Sequence, residues 1–339
     1  MVTIKDVASR AGVAPSTVSY VLSGSRRISE RTRLAVQQAI TELGYHPSAS
    51  ARTLRSARTQ VLALALPRGG PGYRSVDGRF AIEICDAARA HGYDVLMLTE
   101  REGVPGLRRI ALGGQADGAI LMAVTEDDPR AAALSELGLP YALLGTDPVA
   151  GADGPPGADL DWAAAAVLAL GAAVRAGHRR TVYLPCARDE VAGRRGYALR
   201  GLAGARSTAE RLRGVRVLDP PGEADALYGE LCALLAGAAA PTALVVQHVA
   251  ALPTVLAAAA SCGRRVPEEL CVLPVGALPG ELGGRRLPRI ELPVAEMVAA
   301  VTGLAVAGIA ARAADEPVPG GHRLIAPELL DADALHTSL

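Results

Sequence analysis

The sequence lacks long uninterrupted hydrophobic segments, although half of its 339 residues are apolar. Its longest Ala/Leu/Val stretches, such as residues 163–174, are too short to cross a bilayer and are flanked by Arg, Asp or Gly. The first residues also lack the basic segment followed by an apolar segment that marks an export signal. These absences predict a cytoplasmic protein that does not interact with a membrane.

Paired cysteines and catalytic motifs are also missing. The five cysteines are odd in number, and no two of them form a C-x-x-C pair, so the sequence predicts neither a disulfide framework nor a zinc site. It contains no G-x-S-x-G, H-E-x-x-H or G-x-x-x-x-G-K-[ST] motif. We therefore expect no enzymatic activity, no metal and no cofactor.

The net charge of zero conceals an asymmetry along the chain. Residues 1–60 contain nine Lys and Arg against three Asp and Glu, a net charge of +6, so the remaining residues carry a net charge of −6. A compact basic segment followed by an acidic one is typical of a protein that contacts a polyanion through the basic segment alone.

The basic segment carries the signals of three short helices. Thr3 begins a capping-box pattern, and Gly12 ends the first helix. Pro15 occupies a first helical position, where proline is tolerated. A third helix begins after the N-cap residue Ser29 and ends at Gly44. The pattern predicts an all-α head of three helices with a tight turn between the first two.

The spacing of apolar residues predicts which helical faces are buried in this head. The second helix has Val18, Val21 and Leu22 on one face and Tyr20 on the other, and the third helix has Leu34 among its apolar residues. A small helical protein-interaction bundle would show the same pattern. The positive charge favours the alternative, in which the polar face of the second helix enters the major groove of DNA.

Two long segments make this assignment more specific. IKDVASRAGVAPSTVSYVLSG (4–24) and ISERTRLAVQQAITELGYHPSASARTLRS (28–56) resemble the LacI/GalR family of transcriptional regulators. The resemblance implies a homodimeric DNA-binding protein, most often a repressor, that binds a near-palindromic double-stranded operator. It also implies a helix-turn-helix domain over residues 1–46 and a hinge helix with linker over residues 47–60.

The resemblance assigns DNA contacts position by position. Pro15, Ser16 and Tyr20 are expected to face bases, with Thr17 and Ser19 closer to phosphate. Many relatives have Arg at the position of Tyr20; because Tyr cannot make the bidentate contact of Arg with guanine, Tyr20 is expected to change the base that is preferred. Leu54 is expected to enter the minor groove from each subunit. The full predicted set is Thr3, Pro15, Ser16, Thr17, Ser19, Tyr20, Ser23, Arg27, Tyr45, Ser50, Arg52, Leu54 and Arg55.

From residue 61 onward, short apolar segments alternate with helical ones. Predicted strands are 61–67, 93–99, 118–124, 141–145, 181–186, 215–219, 242–247 and 271–276, with helices near 78–91, 105–114 and 129–138. Two successive series of this kind predict an α/β body of two doubly wound, parallel-sheet subdomains with a cleft between them.

This body resembles the periplasmic-binding-protein-like effector domain of the same family. The resemblance implies that the chain crosses between the subdomains three times. The effector-binding and dimerisation domain is expected over residues 61–339. Its first subdomain is expected at 61–157 and 291–316, and its second at 158–290 and 317–339.

The sequence of the cleft departs from the family pattern at four places. Gln247 and His248 replace an Asn-Asp pair, and Gly193 replaces an Arg. Residues 274–277 (PVGA) stand where Gly-Phe-Asp-Asp is common, and residues 68–78 replace Asn-Pro-Phe-Phe. Buried sugar hydroxyls need fixed polar partners, so these changes predict an altered or lost effector response.

The sequence leaves two mechanisms open: a ligand closes this cleft in ordinary induction or corepression, or the effector has been lost and regulation acts through protein level or a protein partner. The candidate effector residues are Asp147, Asp161, Trp162, Arg194, Arg195, Gln247 and His248. The alternative to a regulator is a sugar- or small-molecule-binding protein of transport type that does not regulate genes.

Overall fold

The computed structural model describes residues 2–23, 26–45, 58–66, 75–99, 103–147, 154–247, 249–318 and 320–335. The chain forms two compact units, Met1–Thr59 and Gln60–Leu339. We call the first unit the head and the second the body. The division coincides with the change of sequence pattern near residue 60.

The head contains the three predicted helices, α1 (Ile4–Ala11), α2 (Pro15–Ser23) and α3 (Glu30–Leu43). Gly12 follows α1 with a φ of 67°, and Gly44 follows α3 with a φ of 58°. Both are left-handed conformations in which glycine carries no steric penalty. Ser29 accepts a hydrogen bond from the backbone N–H of Thr32 and so caps α3.

One small core joins these helices, but two predicted members lie outside it. The buried residues of the head are Val7, Ala8, Val18, Val36, Ala39 and Tyr45. Leu22 and Leu34 are 38% and 54% exposed, so their assignment to the core was wrong. Leu34 lies about 200° around α3 from Val36, on the opposite face, because successive residues turn by about 100°. Leu22 lies in the last turn of α2.

The first sheet of the body is fully parallel, in the order β11-β5-β4-β3-β1-β2. Its strands are β1 (Val61–Ala65), β2 (Asp94–Leu98), β3 (Gly118–Met122), β4 (Tyr141–Leu144), β5 (Gly157–Leu160) and β11 (His322–Ile325). The associated helices are α4 (Ser75–Ala90), α5 (Val104–Leu112) and α6 (Pro129–Glu136). The strands and helices predicted in this region are confirmed, whereas β5 and β11 were not anticipated.

The second sheet has the order β12-β10-β9-β8-β6-β7. Its strands are β6 (Thr181–Leu184), β7 (Val215–Val217), β8 (Ala243–Val246), β9 (Cys271–Ala277), β10 (Arg289–Glu291) and β12 (Leu329–Leu330). Its helices are α7 (Trp162–Arg175), α8 (Arg188–Ala192), α9 (Gly196–Arg211), α10 (Ala224–Ala236) and α11 (Leu252–Ser261). β12 runs antiparallel to β10, so the prediction of a purely parallel sheet was wrong for this edge strand.

The chain passes between the sheets three times, after β5, after β10 and after β11. The first and last passages differ from the predicted boundaries. Residues 158–160 and 322–325 were assigned to the second subdomain, but both segments pair as strands in the first sheet. β5 (GADL) has a single large apolar residue, which explains why hydrophobicity did not reveal it.

Helix α12 (Val294–Ala314) returns the chain to the first sheet. By length and composition it could span a membrane, so the expectation that every apolar segment is too short was wrong for this one. In the body it packs against α4 and the strands β3, β4 and β5, with residues such as Val301 and Ala305 fully buried. Its apolar composition is therefore accounted for by packing on the first sheet.

Candidate functional site

The exposed surface of α2 carries the residues predicted to face bases. Pro15, Ser16 and Tyr20 are exposed, while Thr17 and Ser19 are half-buried. Val18 lies between them in sequence and is completely buried in the head core, which fixes the rotation of the helix. The structure thus gathers these predicted side chains on one helix, with Pro15, Ser16 and Tyr20 accessible to a partner.

Thr3 is held at the start of α1 by its capping box. Its backbone N–H and its Oγ1 hydroxyl both donate to Oδ2 of Asp6, each at 2.8 Å. The side-chain hydrogen bond from Thr3 is the main reason that the pKa of Asp6 lies below its usual value. The capping box therefore fixes the position of Thr3 on the exposed surface of the head.

The remaining predicted DNA contacts divide into three groups. Arg27 is exposed, as expected. Tyr45 is only 8% exposed and packs in the head core, so the structure gives it a core role instead of the predicted surface contact. Ser50, Arg52, Leu54 and Arg55, together with the side chain of Ser23, lie outside the described residues.

Arg26, which was not among the predicted contacts, lies beside this face. Its guanidinium carbon is 5.7 Å from the centroid of the Tyr20 ring, within range of a cation–π interaction. The motif itself gave no reason to single out this arginine, because the contact joins the end of α2 to the residues beyond it.

A cavity of about 760 Å³ lies between the two subdomains of the body. It is bordered by residues at the carboxyl ends of several strands, including Val124 after β3, Thr146 after β4, Cys186 after β6 and Gln247 after β8. This is the edge at which α/β folds bind ligands. Its volume lies in the range of small-molecule sites.

Asp159, which borders this cavity, belongs to a buried ionic network. Asp159 on β5 accepts a hydrogen bond from Nε1 of Trp162 at 2.9 Å and forms a salt bridge with Arg200 of α9. Burial raises the pKa of Asp159, and the charge of Arg200 opposes that effect. The pair links the first sheet to a helix of the second subdomain.

Trp162 also closes the space above the end of β9. A Cβ atom at Gly276 would overlap its indole ring, and Gly276 has a φ of 79°. The ring of Tyr197 lies 5.8 Å from that of Trp162 on the cavity side. The indole of Trp162 therefore fills the space beside the Cα of Gly276.

Gln247 is held by hydrogen bonds within the protein. Its Oε1 accepts from the hydroxyl of Tyr183, and its Nε2 donates to the carbonyl of Tyr197, both at 2.9 Å. Burial raises the pKa of Tyr183 well above its ordinary value, so the phenol remains a donor. Gly201 makes room for the amide, because a Cβ there would overlap it.

Residues 123–126 and 194–196 join the two subdomains beside the cavity; we call these two segments the latch. The N–H of Gly196 donates to the carbonyl of Val124 at 3.0 Å, and the N–H of Glu126 donates to the carbonyl of Arg194 at 2.9 Å. The guanidinium of Arg195 donates to the carbonyl of Ala123, and Arg194 pairs with Glu126.

The backbone around the latch is strained. Ala123, Asp127 and Arg194 have φ values of 50°, 51° and 55°, which side chains rarely adopt. Asp147 accepts a hydrogen bond from the N–H of Asp127 at 3.1 Å and supports this turn. Such strain persists only where surrounding contacts hold it, and it concentrates at functional sites.

The candidate effector residues therefore do not form one site. Trp162, Arg195 and Gln247 line the cavity. Asp161 instead caps α7 by accepting from the N–H of Ala164. Asp147 and Arg194 belong to the latch region, and His248 lies outside the described residues.

Sequence reasoning missed several polar residues of the cavity. These are Asp77, Thr146, Asp159, Asp189, Glu190 and Tyr197. Glu190 accepts a hydrogen bond from the hydroxyl of Tyr197 at 2.5 Å. Within the described part of the chain, no group of three His, Cys, Asp or Glu residues is placed to hold a metal ion.

Comparison with known proteins identifies both units. The model of the lacI family of bacterial regulatory proteins matches residues 3–48, and that of the periplasmic-binding-protein-like domain matches residues 170–331. The HTH-type transcriptional regulator MalR of Streptococcus pneumoniae serotype 4 is 35% identical over 149 residues, covering 42% of this chain and 45% of MalR. The HTH-type transcriptional regulator CelR of Thermobifida fusca is 33% identical over 202 residues, covering 56% of this chain and 57% of CelR.

The fold is also that of a solved repressor. The lac repressor dimer, crystallised with operator and the anti-inducer ONPF, has a TM-score of 0.78 at 20% identity, with 97% of each chain covered. The chain spans about half the length of the curated relatives that it matches. A helix-turn-helix head followed by a periplasmic-binding-protein-like body is the domain arrangement of a DNA-binding transcriptional regulator. The chain therefore has a lacI-family helix-turn-helix domain over residues 3–48 and a periplasmic-binding-protein-like domain over residues 170–331.

Proposed function

We propose that this chain is a cytoplasmic, sequence-specific DNA-binding repressor without enzymatic activity. The observation that carries the proposal is the exposed polar face of α2, with Pro15, Ser16 and Tyr20, on a head that matches the lacI family over residues 3–48. The net charge of +6 over residues 1–60 favours a polyanionic partner for that face.

The α2 helix enters the major groove and reads base edges through Ser16 and the surface around Tyr20. Thr17 and Ser19 are half-buried beside this face and contact the phosphate backbone. The predicted entry of Leu54 into the minor groove rests on the resemblance of residues 47–60 to a hinge helix.

A homodimer would present two heads to a near-palindromic operator. The surface that supports this proposal lies on the first subdomain, where α4 packs against the edge strand β2. Ile82, Leu96 and Met97 are exposed there by 66%, 38% and 46% of their surface. A second copy of the chain would remove these apolar side chains from water.

The effector response is altered relative to sugar-responsive relatives. Gln247 already has partners at both ends of its amide, and Asp159 is paired with Arg200. Trp162 covers the end of β9, and the latch joins the subdomains through the protein's own hydrogen bonds. These features support a cleft that is held together without the hydroxyl groups of a sugar.

The decisive experiment selects duplexes from a randomised DNA library with the full-length protein at near-physiological salt. We expect enrichment of one near-palindromic sequence. Salt must be fixed because weak phosphate contacts mimic specific binding when it is low. Retention of all sequences equally would contradict the proposal and favour a small-molecule-binding protein of transport type.

The effector proposal needs a separate measurement. A panel of pentoses, hexoses and disaccharides should change neither the melting temperature nor the affinity for the selected duplex. A sugar that raises the melting temperature and shifts DNA affinity would overturn the proposal of an altered response but leave the DNA-binding proposal intact.

A further inference from the structure

Three arginines of the head are held in two different ways. Arg10 pairs with Glu42 at 2.5 Å, and Arg33 pairs with Glu30. Arg26 instead lies over the ring of Tyr20, with its guanidinium carbon 5.7 Å from the ring centroid. A carboxylate and an aromatic ring differ in whether they leave the N–H donors of an arginine available to a third group.

A paired carboxylate occupies the N–H donors of a guanidinium, whereas an aromatic ring contacts its face. An arginine placed over a ring therefore keeps its N–H donors available for a third group. The ring also restricts a long side chain that would otherwise lose rotamer freedom on binding. The contact with Tyr20 therefore restricts the side chain of Arg26 and leaves its N–H donors available for bidentate hydrogen bonding.

The location of the pair fits a target in the major groove. Tyr20 is 36% exposed on the same face of α2 as Ser16, and Arg26 is exposed just beyond the end of that helix. A planar fork of donors matches the O6 and N7 acceptors of guanine, which lie together on the major-groove edge.

We propose that Tyr20 is a positioning residue that presents the guanidinium of Arg26 to a guanine in each operator half-site. This inference rests on the proposed DNA-binding function. It replaces the expectation that Tyr20 itself selects the base, because the aromatic ring acts through the arginine. Guanine preference at one symmetric pair of positions then depends on Arg26 directly and on the ring of Tyr20 indirectly.

The test compares full-length variants on the duplex selected by the unaltered protein and on the same duplex with the symmetric G·C pairs changed to A·T. Arg26→Ala should reduce the preference for guanine by about 5- to 150-fold. Tyr20→Leu should reduce it by about two- to fivefold, the range of an exposed cation–π contact. Tyr20→Phe keeps the ring and should preserve the preference.

The double variant tests the coupling between the two residues. Tyr20→Leu combined with Arg26→Ala should discriminate no worse than Arg26→Ala alone, because the ring acts only through the arginine. Arg33→Ala is the matched control, since it also removes one positive charge from the head but lies in an ion pair with Glu30. It should weaken both duplexes equally.

Three results would overturn the inference. Equal losses for Tyr20→Phe and Tyr20→Leu would mean that the hydroxyl contacts DNA directly. Additive losses in the double variant would mean that the residues act independently. An Arg26→Ala variant that weakens both duplexes equally and flattens the salt dependence would place Arg26 on phosphate. If the unaltered protein selects no sequence, the proposed DNA-binding function itself has failed.

Discussion

The head and the body use their polar residues in opposite ways. In the head, Pro15, Ser16 and Tyr20 lie exposed on one nine-residue helix, and the small core beneath them is apolar. In the body, the polar residues of the cleft come from separate strands and helices, and several are bonded to other side chains of the protein. Asp159 with Arg200 and Gln247 with Tyr183 are the clearest cases.

This difference determines how far a residue's role can be inferred from its position in each unit. A surface helix can change its exposed side chains without disturbing the core, so the position of a residue indicates its role. A cleft residue such as Gln247 also supports the fold, and its role depends on neighbours far away in sequence. Substitutions should therefore damage stability in the body and recognition in the head.

The largest effect is expected from Arg200→Ala. It leaves the buried carboxylate of Asp159 without its ionic partner, and breaking a buried pair costs about 3–5 kcal/mol. Urea denaturation should show this loss at neutral pH. Arg206→Ala removes an exposed arginine from the same helix and should change the free energy of unfolding by less than about 0.5 kcal/mol.

The same variant gives a pH signature. Arg200 opposes the effect of burial on Asp159, so its removal should raise the pKa of Asp159 further. A carboxyl whose pKa is higher in the folded state stabilises the fold at low pH and loses that contribution as the pH rises through the folded pKa. The loss of unfolding free energy caused by Arg200→Ala should therefore be smaller near about pH 5 than near about pH 8. A deficit independent of pH would contradict the buried-charge explanation.

A smaller loss is expected from Gly276→Ala. The added Cβ would overlap Trp162, and alanine is disfavoured at a φ of 79°. Thermal denaturation should reveal a cost of about 1–3 kcal/mol. Gly229→Ala is the control, because nothing lies within 4 Å of its Cβ position in the interior of α10 and alanine favours helix. Equal effects of the two changes would show that Trp162 does not fill the space above Gly276.

Gly196→Pro should weaken the latch by more than the roughly 1 kcal/mol of one backbone hydrogen bond, because the proline Cδ would also clash with the carbonyl oxygen of Val124, which lies 3.0 Å from the Gly196 nitrogen. Gly196 is the first residue of α9, where proline is tolerated, and Arg195 before it is extended, as a residue preceding proline must be. Hydrogen–deuterium exchange should show lost protection at the amide of Glu126. Unchanged protection there would mean that the latch does not depend on this bond.

The smallest effect on stability is expected in the head. Ser16→Ala should leave the melting temperature unchanged, because the side chain is exposed and changes there usually stay within about 0.5 kcal/mol. It should nevertheless change the duplexes selected from the library. A Ser16→Ala variant with a lower melting temperature and an unchanged selected sequence would show that this residue of the head supports stability and not recognition.

The sequence alone determined the head and most of the strands. The capping box at Thr3, the glycines at 12 and 44 and the apolar spacing specify the three helices, because these signals act over a few residues. Strands such as β1 and β8 were predictable because buried parallel strands are continuously apolar. The body's division into two series of strands and helices followed from the same pattern.

Only the tertiary structure decided the composition of the cleft. Asp159 lies in a strand of small and polar residues that is held by its neighbours, and its partner Arg200 is 41 residues away. Asp147, Asp161 and Arg194 looked like ligand contacts but serve a turn, a helix cap and the latch. Local signals specify helices and strands, whereas a site between two subdomains depends on contacts between distant segments, which single-sequence patterns do not encode.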